Sequence, residues 1–97
     1  MSDDINPHIS LQEIKELNKK KREIRKNIYK RILAYCVNSI KHIALTGNTI
    51  HIYTVPLVIA NCPLYDYSEC YEYVYNKLIE YGFTIILLNN YSWMITW

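Results

Sequence analysis

The chain has only two glycines, three prolines and one phenylalanine among its 97 residues. Loops that cradle phosphate need several glycines so that the backbone can approach the ligand, whereas Gly47 and Gly82 each stand at an expected helix end. Such a loop is therefore excluded. No nucleophile-elbow motif surrounds a serine. The spacings that prearrange metal ligands, CxxC and HxxxH, are missing from Cys36, His42, His51, Cys62 and Cys70. Three cysteines are an odd number that fits no disulfide framework, and no apolar signal segment precedes them. They read as three reduced core thiols in an intracellular protein that is not secreted. No apolar run approaches the roughly 18–20 residues that cross a bilayer. The longest is Phe83 to Leu88, so no membrane insertion is expected. Asn90-Tyr91-Ser92 fits a glycosylation sequon and reads as a chance match.

Apolar and aromatic residues are plentiful: the hydrophobic fraction is 51% and ten tyrosines accompany two tryptophans, enough for one core without metals or disulfides. Charge is segregated. Met1 to Lys41 carries ten Lys/Arg against five Asp/Glu, whereas His42 to Trp97 carries one against four. That contrast bears on partners more than the net charge of +2 does.

Residues 1–9 are polar and read as a flexible arm. Ser10 followed by Glu13 forms a capping-box pattern that predicts a helix start. Leu11, Ile14, Leu17, Ile24, Ile28, Ile32, Tyr35, Ile40 and Ile43 then keep a helical stripe as far as Gly47. The spacing predicts one long basic helix over residues 10–46, roughly 50 Å long at about 1.5 Å per residue. Part of it must project or pack on another chain. Lys19-Lys20-Lys21-Arg22 interrupts the stripe and marks a possible break, while residues 28–46 are the part expected in the core.

Thr49 to Val55 alternates as a half-buried strand that Pro56 ends or places at an edge, with Leu57 to Ala60 as an apolar continuation. Asn61-Cys62-Pro63 is a turn. Asp66, with Glu69 three residues on, caps a second helix whose inward stripe is Cys70, Val74, Leu78 and Tyr81 and which Gly82 stops. Phe83 to Leu88 and Tyr91 to Trp97 read as a terminal hairpin around a tight Asn89-Asn90 turn in left-handed conformations. The expected fold is thus α+β: a long basic N-terminal helix, then a compact β-α-β-β unit at 48–97 with a small three-stranded sheet. That unit forms one domain with residues 28–46 and has helices on one face of the sheet.

With no catalytic, cofactor-binding or metal residues to name, the function reads as binding rather than catalysis, and no small-molecule substrate is expected. Nine of the eleven Lys/Arg lie between Lys15 and Arg31. Lys19, Lys20, Lys21, Arg22, Arg25, Lys26, Lys30 and Arg31 are candidate contacts to phosphates or an acidic partner. The bland alternative is a solvated helix face in which Glu16 pairs with Lys20 and Glu23 with Lys26. A winged-helix reading fails, because its recognition helix, Asp66 to Tyr81, would carry four acids and only Lys77 toward duplex phosphates. Tyrosines crowd the second helix and cannot all face one core. Tyr67, Tyr71, Tyr75, Tyr91, Trp93 and Trp97 are therefore candidate interface aromatics.

The order Val55-Pro56, Cys62-Pro63-Leu64-Tyr65-Asp66, Cys70, Tyr73, Leu78, Gly82-Phe83 and Ile95-Thr96-Trp97, with Tyr29, Ile32, Leu33 and Cys36 on the basic helix, is distinctive. It resembles an uncharacterised family of small proteins of nucleocytoplasmic large DNA viruses. Asn61 stands where glycine is expected and Thr96 where serine is, and Asn tolerates a left-handed backbone. The resemblance implies a viral protein of the virion or of the virus factory in host cytoplasm, and it supplies no catalytic residue. A structural or assembly protein that self-associates or meets protein partners is the leading expectation. An accessory nucleic-acid-binding module that uses the basic helix is the alternative.

Overall fold

A computed structural model describes residues 10–97, and the expected arm at 1–9 lies outside the described residues. Helix α1 runs unbroken from Leu11 to Leu45. The Ser10 side chain accepts from the Glu13 amide at 3.1 Å, which satisfies one of the open donors of the first turn. No break occurs at Lys19 to Arg22, because lysine and arginine are good helix formers and no glycine or proline interrupts the segment. The charge run interrupts the apolar stripe without interrupting the helix.

Strand β1 is Ile50–Thr54, helix α2 is Tyr67–Glu80, and strands β2 (Thr84–Leu87) and β3 (Ser92–Thr96) close the chain. The sheet order is β1-β3-β2, antiparallel throughout. β1 is thus an edge strand, and it ends two residues before Pro56, which has no amide to donate. Leu57 to Ala60, expected to continue it, is irregular. Asn61 is left-handed at φ 59°, as the turn requires.

Asp66 caps α2, its carboxylate accepting from the Glu69 amide at 3.1 Å. The far end closes on Gly82 at φ 95°, with Gly82 N donating to Ile79 O and Phe83 N to Leu78 O. These paired bonds need a left-handed residue at that place, which glycine adopts without strain. Cys70, Val74 and Leu78 are wholly buried. Tyr81, expected to continue their stripe, is 56% exposed, because as the cap residue it stands beyond the last turn held against the sheet. The hairpin loop is also wider than expected. Neither Asn89 nor Asn90 has a positive φ. Instead the Asn89 side-chain oxygen accepts from the amides of Tyr91 and Ser92 at 2.8 and 2.9 Å, and Leu88 N donates to Ser92 O.

Both helices lie on one face of the sheet, α1 against β1 and α2 against β2, and they pack on each other. Tyr29, Ile32, Leu33, Cys36 and Ile40 of α1 meet Val55, Cys70, Val74, Leu78, Trp93 and Ile95 in a single core. The core therefore begins at Tyr29, and residues 11–24 of α1 are exposed throughout. The molecule measures 69 × 22 × 21 Å with a radius of gyration of 18.7 Å, against about 13 Å for a compact chain of this size. The difference is the projecting half of α1.

Candidate functional site

The projecting half of α1 carries two kinds of exposed surface. Ile14, Leu17 and Ile24 recur at heptad-like spacing with Lys21 among them, Ile28 continues the row where it becomes half-buried against the core, and Tyr35, 74% exposed, lies further along it. This seam lies about a quarter turn from the stripe that enters the core. Leu11, Ile14, Leu17 and Ile24 are between 43% and 66% exposed, so nothing among the described residues covers them. On another face Lys15, Lys19, Arg22, Lys26 and Lys30 fall at intervals of four, three, four and four, forming a basic ridge roughly 22 Å long. Lys20, Lys21 and Arg31 point to other sides of the helix.

Among the described residues two ion pairs form, Arg25–Glu69 at 4.0 Å and Lys77–Glu80 at 3.6 Å. The expected Glu16–Lys20 and Glu23–Lys26 pairs do not close. Long exposed side chains lose rotamer freedom on pairing and gain little in water. Arg25, expected as a free contact, is half-buried at the base of the arm. It donates from Nε to Leu64 O at 3.1 Å and faces Glu69, so it holds α1 to the segment before α2.

Beside it the Tyr29 hydroxyl donates to Glu69 Oε2 at 2.9 Å and accepts from the Asp66 amide at 3.3 Å. Burial first, then the hydrogen bond to Glu69, pushes the Tyr29 phenol up to about 12. Arg22, Arg25, Lys26, Glu69 and Glu72 line a cleft of about 420 Å³ here, where three cations face two carboxylates. A second groove of about 550 Å³ follows along the same helix pair. Its walls are Lys30, Ala34, Val37, Asn38 and Lys41 from α1, and Tyr73, Lys77 and Tyr81 from α2, with Leu33 beneath. Among the described residues no carboxylate lines it.

The candidate interface aromatics divide. Trp93 is wholly buried: its indole packs against the rings of Tyr53, Tyr71 and Tyr75 at 6.2, 4.9 and 5.8 Å. It belongs to the core, because β3 is the central strand and Trp93 faces the helices. Tyr71 and Tyr75 are half-buried over that indole and stack on each other at 6.3 Å, and Tyr67 is half-buried beside Tyr71 at 5.9 Å. Tyr67 reaches Tyr91 and donates to Asn90 O. Trp97 is 38% exposed with its edge against Phe83. The tyrosines thus seal the hydrophobic unit, and only their rims face solvent.

A surface that sequence reasoning did not single out lies on the other side of the sheet. Register places Ile52, Met94 and Ile86 in one row, with Ile50, Thr96 and Thr84 in the next. Ile50, Ile52 and Ile86 are 48%, 60% and 46% exposed, and none of the three strands contains a charged residue apart from titratable His51 on the inner side. The alternation of β1 was visible in the sequence. Which of two apolar sides would be covered was not.

Two of the three thiols are core residues. Cys36 and Cys70 are wholly buried, whereas Cys62 is half-buried on the turn. Desolvation pushes the Cys36 thiol up to about 12 and raises Cys70 as well, although a hydrogen bond from Tyr65 works against the latter. Among the described residues no group of three His, Cys, Asp or Glu side chains converges as metal ligands would, and no helix is long and apolar enough to cross a membrane.

Comparison with known proteins gives one result: the model of a family of unknown function (DUF5759) matches residues 9–79. No curated protein and no solved structure matches the chain.

Proposed function

The chain belongs to DUF5759, a family of unknown function that brings no activity with it, and we propose that it is a non-enzymatic structural or assembly protein. Its arm and outer sheet face pack against protein neighbours, a second copy of the chain first among them. One observation carries this reading: among the described residues, nothing covers the apolar seam of the projecting helix or the apolar face of the sheet. Single exposed apolar residues are ordinary on protein surfaces, whereas two aligned sets of them mark places where other molecules dock. The outer face is uncharged, so it can receive a seam flanked by Lys20, Lys21 and Arg31 without repulsion. Two like arms would instead set those cations against each other. The resemblance to proteins of large DNA viruses extends the proposal to a setting, the virion or the virus factory of the host cytoplasm.

The test is light scattering on the full chain and on two variants, Ile14→Ser/Leu17→Ser/Ile24→Ser and Ile52→Lys/Ile86→Lys. Each is expected to fold and to have lost association. Association that both variants retain would contradict the proposal.

A second reading rests on a separate observation. Four members of the basic ridge, Lys15, Lys19, Arg22 and Lys26, have no ion-pair partner among the described residues, so their charge is available to phosphates. On this reading the arm is an accessory nucleic-acid-binding element, and its affinity falls steeply with salt.

A further inference from the structure

The basic ridge does not stop where α1 joins the body of the protein. Lys30 continues it into the groove between α1 and α2, and Lys41 stands three turns further along the same side of α1, roughly 16 Å away. Across the groove Tyr73, Lys77 and Tyr81 succeed one another at intervals of four on α2, a single helix face. Three lysines thus surround two aromatic rings in a space of about 550 Å³ that no carboxylate among the described residues lines. The two tyrosines differ in exposure. Tyr73 is held against Tyr29 at 6.2 Å and has Lys77 Nζ 5.9 Å from its ring centre. Tyr81 is 56% exposed at the helix end, with its ring open to a planar group.

We propose that this groove binds a single strand of nucleic acid, Lys30, Lys41 and Lys77 meeting its phosphates and Tyr81 stacking on a base. The proposal deepens the nucleic-acid reading of the arm: the ridge gathers the strand by charge and the groove holds it. Cationic grooves with aromatic platforms bind single strands because every base has a face to stack, whereas the bases of a duplex are already stacked on one another. A duplex can lie along the ridge but cannot insert a base between two packed helices. Glu69 and Glu72 stand beyond Tyr73 in the adjoining cleft, and Glu80 pairs with Lys77 at 3.6 Å and is 66% exposed. Such a surface pair is weak, and a phosphate can displace it.

The test is fluorescence anisotropy of the full chain with a labelled oligothymidylate at about 50 and 200 mM salt. Five variants and two competitors complete it. Lys41→Gln/Lys77→Gln is expected to weaken binding at least tenfold and to flatten the salt dependence by about 1.4 units of log–log slope, at roughly 0.7 for each of two phosphate contacts. Tyr81→Ala is expected to weaken binding about tenfold with its slope unchanged, and Tyr81→Phe to bind as the native chain does. Glu80→Gln is expected to bind several-fold more tightly, a gain that misfolding cannot mimic. Lys15→Gln/Lys19→Gln/Arg22→Gln separates the two proposals. If it alone abolishes binding while the groove variants match the native chain, the arm reading stands and the groove assignment falls. If the native chain binds no oligonucleotide at the lower salt, both fall. Equal competition by duplex DNA, or by polyglutamate, would overturn the assignment to a single strand.

Discussion

The hydroxyl of Tyr29 lies 2.9 Å from a carboxylate oxygen of Glu69, and it is the point at which the long helix is fastened to the rest of the fold. Glu69 is held in turn by the cap of its own helix, since its amide donates to Asp66. The Asp66 amide donates back to the same hydroxyl. One phenol therefore serves two partners at the start of α2, and beyond it toward the N-terminus Arg25 is the one polar tie from α1 to the body among the described residues.

Replacing that phenol with phenylalanine keeps the ring and removes both hydrogen bonds. Tyr29→Phe is expected to cost about 1–2 kcal/mol, somewhat below the range for a bond to a charged group, because Glu69 can turn to water. Urea unfolding measures this as a lower midpoint with an unchanged slope.

Trp93→Ala is expected to be far more severe, about 3–5 kcal/mol, since it opens a cavity under three aromatic rings at the centre of the sheet. Against a total stability of about 5–15 kcal/mol for a small domain, the variant should be partly unfolded at room temperature. Circular dichroism in the near ultraviolet reports the loss.

Stability should fall at both ends of the pH scale for identifiable reasons. Desolvation holds His51 below its ordinary 6.5, so the unfolded chain takes up a proton there before the folded one does. Stability is then present above about 6.5 and is lost as pH falls through the lowered value, and His51→Phe should flatten this limb. At the alkaline end Tyr29 and Cys36 stay protonated to about 12 in the fold. They release their protons earlier when unfolded, at 10.0 and 9.0, so stability is lost as pH rises from about 9 toward 12. Unfolding midpoints measured across pH check both limbs.

The three thiols should react in two classes. Cys62, half-buried on its turn, is expected to label quickly with a thiol reagent. Cys36 and Cys70, wholly buried and held in the protonated form, should label only as fast as the fold opens. Mass spectrometry of a labelling time course separates one fast site from two slow ones.

Local chemistry made much of this fold legible from the residues. Ser10 with Glu13, Asp66 with Glu69, and Gly82 each specify a helix end through hydrogen bonds within a few residues, and each behaves as its type dictates. The stripe Cys70, Val74 and Leu78 likewise declared the buried side of α2. What failed was the choice between surfaces of equal polarity. Trp93 and Trp97 share one side of β3, yet only the first lies over the helices. Ile52 and Tyr53 are both apolar neighbours on β1, and packing alone decides that the isoleucine faces outward. The groove was hidden for another reason, because Lys30 and Lys41 meet Lys77 and Tyr81 only once two helices distant in sequence lie side by side. The Asn89-Asn90 loop was misjudged because a side-chain oxygen did the work assigned to a left-handed backbone.

The outer sheet face gives a sharp contrast between folding and association. Ile52→Lys/Ile86→Lys replaces exposed residues, so its urea midpoint should match that of the native chain within about 0.5 kcal/mol of stability. Its tendency to associate should disappear.

The most direct measurement is the mass of the full chain in solution by light scattering at about 50 and 200 mM salt. Association through the apolar seam and the sheet face should give a mass well above the 11.6 kDa of one chain, and the same mass at both salts. A monomer at both, or an assembly that dissolves at the higher salt, would contradict the assembly reading and leave the cations of α1 as the working surface.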